Sequence, residues 1–196
     1  MRSLRLALRW RVVSRPERVT DLPLVIVLAS GRGERFLASG GKVHKLQADL
    51  AGKSVLQHTL AAVRASGLPY HLEQEAHAGM GDSIAAAVRA TPNAEAWMIL
   101  PADLPLIYPE TLRLIAAAPL AQEVVIPVYQ GLRGHPVRFS KAWRSQLMAL
   151  SGQQGAAQLV QSRKVSEIQV NDLGCVTDID TLQDLERALQ ILQERI

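Results

Sequence analysis

The chain has 196 residues, 48% of them hydrophobic and 4% aromatic, with a formal net charge of +4. That length supports one α/β domain with a full core and is too short for two comfortable domains. Six arginines against Glu17 and Asp21 within residues 1–22 account for the whole excess charge, so the remainder is neutral, lacks stacking platforms, and is not expected to bind nucleic acid.

In chain order, residues 1–22 form an Arg-rich extension ahead of a single domain over 23–196. Arg2, Arg5 and Arg9 share one helical face, with Leu4, Leu8 and Val12 near the other. An organelle presequence or membrane-surface segment fits this pattern, and a loosely packed extension fits it better. No apolar run reaches signal-peptide or transmembrane length, so no stable membrane association is expected.

From Pro23 onward, apolar runs alternate with helical patterns. Strands are predicted at Leu24–Ala29, Leu68–Glu73, Ala96–Leu100, Glu123–Val128 and Val165–Val170. Helices are predicted at Ser54–Ser66, Asp82–Ala90, Pro109–Ala117, Lys141–Leu150, Gly155–Gln161 and Thr181–Glu194. Ser54 and Asp82 read as N-caps and Pro109 as a first-turn residue. The rhythm predicts an α/β fold with a parallel sheet. Cys175 stands alone, which rules out an internal disulfide, fits a reducing, cytoplasmic setting, and reads as a small buried hydrophobe.

Chemistry concentrates where strands end. Leu22 to Phe36, LPLVIVLASGRGERF, runs an aliphatic strand into a glycine-bearing loop. Gly31 and Gly33 let backbone N–H groups approach an anion, and Arg32, Arg35 and Lys45 add positive charge. Gly79 to Val88, GMGDSIAAAV, places glycines ahead of a helix whose N-terminal N–H groups suit a ribose, base edge or phosphate. LPADLP puts Asp103 at the mouth of a buried strand, where a carboxylate needs a cation or several donors, and a divalent metal is the natural candidate. DID at Asp178 to Asp180 precedes the last helix; one of its acids reads as that helix's cap, and the other as a second oxygen ligand for Mg²⁺ bridging phosphates.

Taken in order, these motifs resemble the MobA/MocA-like nucleotidyltransferases of molybdenum cofactor maturation, over nearly all of 23–196. LASGRGERF with the lysine of HKL is similar to the family's glycine-rich NTP signature, GMGDSIAAAV to its nucleoside-contacting turn, PADLP to its metal-binding aspartate loop, and RGHPVRF and DIDTLQDLE to its later motifs. The resemblance implies a three-layer, Rossmann-like, mainly parallel sheet of the nucleotide-diphospho-sugar transferase type. It implies transfer of NMP from an NTP to molybdopterin or another small phosphate acceptor, with release of pyrophosphate. Arg35, Lys45 and Asp103 would be catalytic, and Leu28, Ala29, Ser30, Gly31, Arg32, Gly33 and Lys45, with Gly79, Met80, Gly81, Asp82 and Ser83, would bind the nucleotide. Asp103 with Asp178 or Asp180 would hold Mg²⁺, and Gly134 and His135 would line the acceptor side. A molybdoenzyme or chaperone partner is compatible with this reading, as is a non-catalytic cofactor-binding relative.

Ala29 and Ser30, together with GMGDS, point to the cytidylyl branch, with CTP preferred over GTP. The spacer FLASGGKVH between Arg35 and Lys45 is longer than is usual in the family, so Lys42 competes with Lys45; Lys45 is chosen because HKL leads into the first helix as the family's lysine does. Other readings fail on physical grounds. AGKS at Ala51–Ser54 has Gln47 where a P-loop needs its first glycine. A nicotinamide loop would want a third glycine where Phe36 stands. His135 has no second His or Cys at ligand spacing, and His44, His58, His71 and His77 read as surface or structural residues.

Overall fold

The computed structural model describes residues 22–119, 121–161 and 165–195. Residues 1–21, on which the Arg-rich helical face was read, lie outside them. The chain begins with β1 (Leu24–Leu28) and a short α1 (Glu34–Ala38), then a hairpin of β2 (Asp49–Leu50) and β3 (Lys53–Ser54). There follow α2 (Val55–Ser66), β4 (Tyr70–Glu73), α3 (Met80–Ala90), β5 (Ala96–Pro101), α4 (Pro109–Ala116) and β6 (Val124–Tyr129). The remainder is β7 (Leu132–Arg133), β8 (Val137–Ser140), α5 (Arg144–Met148), α6 (Ala157–Gln161), β9 (Ser166–Gln169) and α7 (Leu182–Glu194).

The strands of the main sheet run in the order β4-β1-β5-β8-β6-β7, with β9 also paired to β6. β1 pairs in parallel with both β4 and β5, and β9 is parallel to β6, whereas β8 is antiparallel to β5 and to β6. The sheet is therefore mixed, parallel in the half that carries the glycine loop as the rhythm of elements predicts, with β8 and β7 as its antiparallel members. β8 escapes a reading by pattern because Arg138 sits in its middle. The Arg138 side chain is 1% exposed and donates to the carbonyls of Ala116, Ala118, Pro119 and Gln122. Carbonyls rather than a carboxylate receive its Nη groups, while Nε is buried without a partner among the described residues, and burial lowers the guanidinium pKa from its ordinary value.

Helices cover both faces. Val25 and Val27 point into a core shared with Val63 of α2, Leu112 of α4 and Ala188 of α7. Ile26 and Leu28 point into a second core with Ile84 and Val88 of α3 and Leu147 of α5. Period-two alternation in which both faces are apolar is what a buried parallel strand requires, and each aliphatic side chain so buried stabilises by about 1.5–3 kcal/mol. The result is a three-layer α/β fold with its loops gathered at the carboxyl ends of β1, β4 and β5.

Helix ends follow local rules. Ser54 accepts from the Gln57 amide while the Gln57 side chain accepts from the Ser54 amide, a reciprocal capping box. Pro109 opens α4 as expected. Asp82 does not cap α3: Gly79 holds the N-cap position, and Asp82 in the first turn accepts from the Gly152 amide at 2.9 Å. Neither acid of DID caps α7, because Thr181 takes that position in a box with Asp184. The long helix expected at Lys141–Leu150 is a 3-10 turn, Lys141–Trp143, followed by α5.

Candidate active site

A cleft of about 680 Å³ opens at the carboxyl ends of β1 and β5, where Leu28 and Pro101 reach its floor. One end is built by the loop after β1. Gly33 has φ +66°, a left-handed conformation in which a side chain is strained, and it forms the N-cap of α1. Gly31 is different: a Cβ there would meet no protein atom within 4 Å, so the space it leaves belongs to the cleft. His44 ties this loop down. Its Nδ1 accepts from the Leu46 amide, so Nε2 carries the proton and donates to the Gly31 carbonyl at 2.7 Å.

Lys45 stands at the centre of the charged end. Its Nζ donates to Asp103 Oδ2 at 2.6 Å and to Asp180 Oδ1 at 2.8 Å, with only 12% of the side chain exposed. Burial alone would lower the lysine pKa, but the two carboxylates outweigh it and raise it above the ordinary value. Asp180 is pushed up by burial and more strongly down by Lys45 and Arg35, whose Nη1 lies 2.7 Å from Asp180 Oδ2. Asp178 goes the other way, raised by burial and by the neighbouring charges of Asp180 and Asp103. The Asp178–Asp180 loop is held in place by a backbone hydrogen bond from Ile179 to the Asp103 carbonyl.

These carboxylates fit a hard divalent cation. Asp103 Oδ1 is buried without a hydrogen-bond partner, and Asp178 carries an excess of negative surroundings that a cation would relieve. No group of three or more His, Cys, Asp or Glu side chains among the described residues could hold a metal by itself. One or two carboxylates completed by substrate phosphates is the ordinary arrangement for Mg²⁺.

The other end is built from backbone. Gly79 and Gly81 lie so close to the Ser151–Gln153 segment that a Cβ on either would collide with main-chain atoms, at 2.7 Å from Ser151 in the case of Gly81. The Gly81 amide donates to the Gly152 carbonyl, and the Gln153 side chain donates to the Ala78 carbonyl. Ser83 reaches across to Ser30, with the hydroxyls 2.6 Å apart. Toward the third side, Gly134 is pressed against the Cys175 backbone, the His135–Pro136 peptide is cis, and burial lowers the His135 pKa. Cys175 is fully buried, its thiol pushed up to about 12 by burial.

Of the residues singled out in the sequence, Leu28, Ser30, Gly31, Arg32, Gly33, Arg35, Lys45, Gly79, Met80, Ser83, Asp103, Gly134, His135, Asp178 and Asp180 line this cleft. Ala29, Gly81 and Asp82 do not: Ala29 is tied to the Glu73 carbonyl, and Gly81 and Asp82 turn toward the Gly152 loop. Lys42 is exposed and outside the lining. Sequence reasoning missed His77, Arg133 and Gln153, which also face the cleft. Arg133 was within reach, since it immediately precedes Gly134 in RGHPV.

Residues 61–168, more than half of the chain, match the sequence profile of the MobA-like NTP transferase domain. The chain belongs to that family. The matched span includes Asp103 and the Gly79–Ser83 turn and stops short of the Gly31–Lys45 loop and of Asp178 and Asp180. Rv0371c from Mycobacterium tuberculosis H37Rv is similar in structure, with a TM-score of 0.74 and 25% identity over 86% of this chain and 97% of that one; it has also been solved as a complex with manganese. Molybdopterin-guanine dinucleotide biosynthesis protein A from Archaeoglobus fulgidus shares the fold, with a TM-score of 0.64 and 19% identity over 87% of this chain and 99% of that one. Among curated relatives, the bifunctional protein GlmU of Xanthobacter autotrophicus is 34% identical over 120 residues, covering 48% of this chain and 26% of GlmU. The chain thus matches about a quarter of that relative's length. No helix among the described residues is long and apolar enough to cross a membrane.

Proposed function

We propose that this member of the family transfers CMP from CTP to the phosphate of a molybdopterin-type acceptor and releases pyrophosphate. The observation that carries the reading is the Lys45 ammonium bridging Asp103 and Asp180 beside the glycine loop, in a cleft large enough for a nucleotide and an acceptor. The molybdopterin acceptor is supported by the likeness to the Archaeoglobus protein, named for molybdopterin-guanine dinucleotide biosynthesis, and by the motifs of the chain.

The reaction is an in-line attack by an acceptor phosphate oxygen on the α-phosphorus. A phosphomonoester is already largely ionised near neutral pH, so the site needs no general base, and positioning and charge neutralisation do the catalytic work. The Gly31–Gly33 backbone cradles the phosphates. Arg35 and Lys45 face their charge, and Lys45 is kept protonated by the two acids that surround it. Gly79–Ser83 faces the nucleoside, and Gly134 and His135 line the acceptor side, where burial keeps the imidazole uncharged. A divalent cation held by Asp103, with Asp178 or Asp180, would supply charge neutralisation on the phosphates; the manganese complex of Rv0371c makes Mn²⁺ worth testing beside Mg²⁺.

The test is pyrophosphate release with CTP, GTP, UTP and ATP against molybdopterin and simpler phosphate acceptors, with either cation. CTP with molybdopterin should be fastest, by about tenfold over GTP, given about 1–3 kcal/mol for each buried group left unpaired. A GTP preference would overturn the cytidylyl assignment alone. No release with any pair would overturn the transferase reading and favour a binding protein.

A further inference from the structure

Glu73 is a buried acid that the proposed reaction does not use. It ends β4, in register with Leu28 of β1, and its side chain is 7% exposed. An ionised carboxylate in that position requires donors, and three converge on it. The Glu75 amide and His77 Nε2 reach Oε1 at 3.0 and 3.2 Å, and His71 Nε2 lies 3.4 Å from Oε2. Burial would raise the Glu73 pKa, but these donors, His77 foremost, hold it below the ordinary glutamate value. His77 is 20% exposed and faces the cleft beside Ala78, Gly79 and Ser83.

The pairing fixes the chemistry of the ring. A carboxylate is acceptor-only, so the nitrogen facing it, Nε2, carries a proton. In the neutral ring Nδ1 is then a lone pair with no hydrogen-bond partner among the described residues, on a side chain that lines the cleft next to Ala78 and the Gly79–Ser83 turn. A bare acceptor there suits a base edge that presents an amino group. Cytosine offers its N4 amino group, whereas uracil and guanine offer carbonyl oxygens, O4 and O6, whose lone pairs would face that of the imidazole.

We infer that His77, held in its Nε2–H tautomer by Glu73, is a specificity-determining residue that selects the amino edge of cytosine over the keto edges of uracil and guanine. The inference rests on the nucleotidyltransferase reading and is tested without an acceptor. Calorimetric titration with CTP, UTP and tripolyphosphate, in Mg²⁺ at about pH 8.5 where an ordinary imidazole is neutral, should give CTP at least about tenfold tighter than UTP. Glu73→Leu removes the acceptor that faces Nε2, frees the Nδ1–H tautomer, and should collapse that ratio while tripolyphosphate binds as before. His77→Leu should collapse it too. Ring ¹⁵N shifts of His77 in the unmutated protein should report Nε2–H whether or not the variants fold. Equal affinity for CTP and UTP, or an Nδ1–H ring, overturns the inference and leaves the transferase standing. Failure of every nucleotide to bind overturns both.

Discussion

The two ends of the cleft are built from different materials. At the phosphate end, the charge is carried by side chains, Arg35, Lys45, Asp103 and Asp180, drawn together from loops far apart in sequence. At the nucleoside end, the Gly79–Ser83 turn is fixed by backbone, pressed against Ser151–Gln153 so closely that no side chain fits between them. A site of the first kind can lose a charge and keep its shape. A site of the second kind cannot gain a methyl group without moving a loop. Substitutions at the two ends should therefore separate into losses of activity with little loss of stability and larger losses of stability with altered affinity.

The largest effect is expected at Asp103. Asp103→Asn removes the negative charge that Lys45 and a divalent cation would share, and should lower turnover at least a hundredfold, or about 2.7 kcal/mol of transition-state stabilisation. The fold should survive, since Asp103 lies in a loop and its removal relieves the crowding that raises Asp178. Pyrophosphate release and a melting curve on one preparation check both halves. Near-normal activity at saturating Mg²⁺ would remove Asp103 from the site, and a collapse of the melting temperature would erase the distinction between the two ends.

Lys45→Ala is next. A charge-assisted contact to phosphate is worth about 1.5–3 kcal/mol, so NTP affinity and rate should fall about ten- to a hundredfold. Lys42→Ala, on an exposed side chain outside the cleft, should change either by less than about twofold. Steady-state kinetics with equal or reversed effects would transfer the role to Lys42.

The sharpest comparison uses two glycines. A Cβ at Gly31 meets nothing in the protein, whereas one at Gly81 lies 2.7 Å from the Ser151 backbone. Gly81→Ala should cost about 1–3 kcal/mol, a drop in melting temperature of roughly 2–4 °C for each. Gly31→Ala should melt within about 1 °C of the parent, since it creates no clash, yet bind NTP more weakly because the methyl group takes up ligand space. If the two variants behaved alike, the contrast between side-chain and backbone construction would fail.

This division also explains what could be read in advance. β1, β5 and the Ser54 cap were legible because runs of Val, Ile and Leu and a Ser-x-x-Gln box act over a few residues. β8 was not, because its central Arg138 is buried with its Nη groups hydrogen-bonded to carbonyls 16 to 22 residues earlier. The true cap of α3 was hidden for a similar reason: Asp82 looks like a cap until Gly152, 70 residues on, is seen to claim it. Asp103 and an acid of DID could be grouped as oxygen ligands because both lie in loops where strands end, but the direct bridge that Lys45 makes to Asp103 and Asp180 was hidden, since they lie 58 and 135 residues from the lysine. His77 was set aside as structural, and nothing local marks it, because its meaning comes from Glu73 being buried at the end of a strand.

The smallest effect concerns how the phosphate end responds to pH. Lys45 has a pKa raised above its ordinary 10.5 in the folded protein, so its pairing contributes stability that is fully present below that value and is lost as pH rises through the higher folded pKa. Asp180 is lowered from 3.8, so its contribution is present above that value and is lost as pH falls through the lower folded pKa. Asp178, raised from the same value, has the opposite sign: the folded protein holds its proton more tightly, and that contribution disappears as pH rises through the folded pKa. The acid side therefore contains opposing terms, and only the alkaline side isolates the lysine. Lys45→Met should be less stable than the parent in urea at about pH 8, and the gap should narrow as pH rises past 10.5, the ordinary lysine value. A gap that stays constant, or widens, would mean that Lys45 stabilises the fold through its aliphatic stem and not through the two carboxylates, and the phosphate end would then be held by packing as the nucleoside end is.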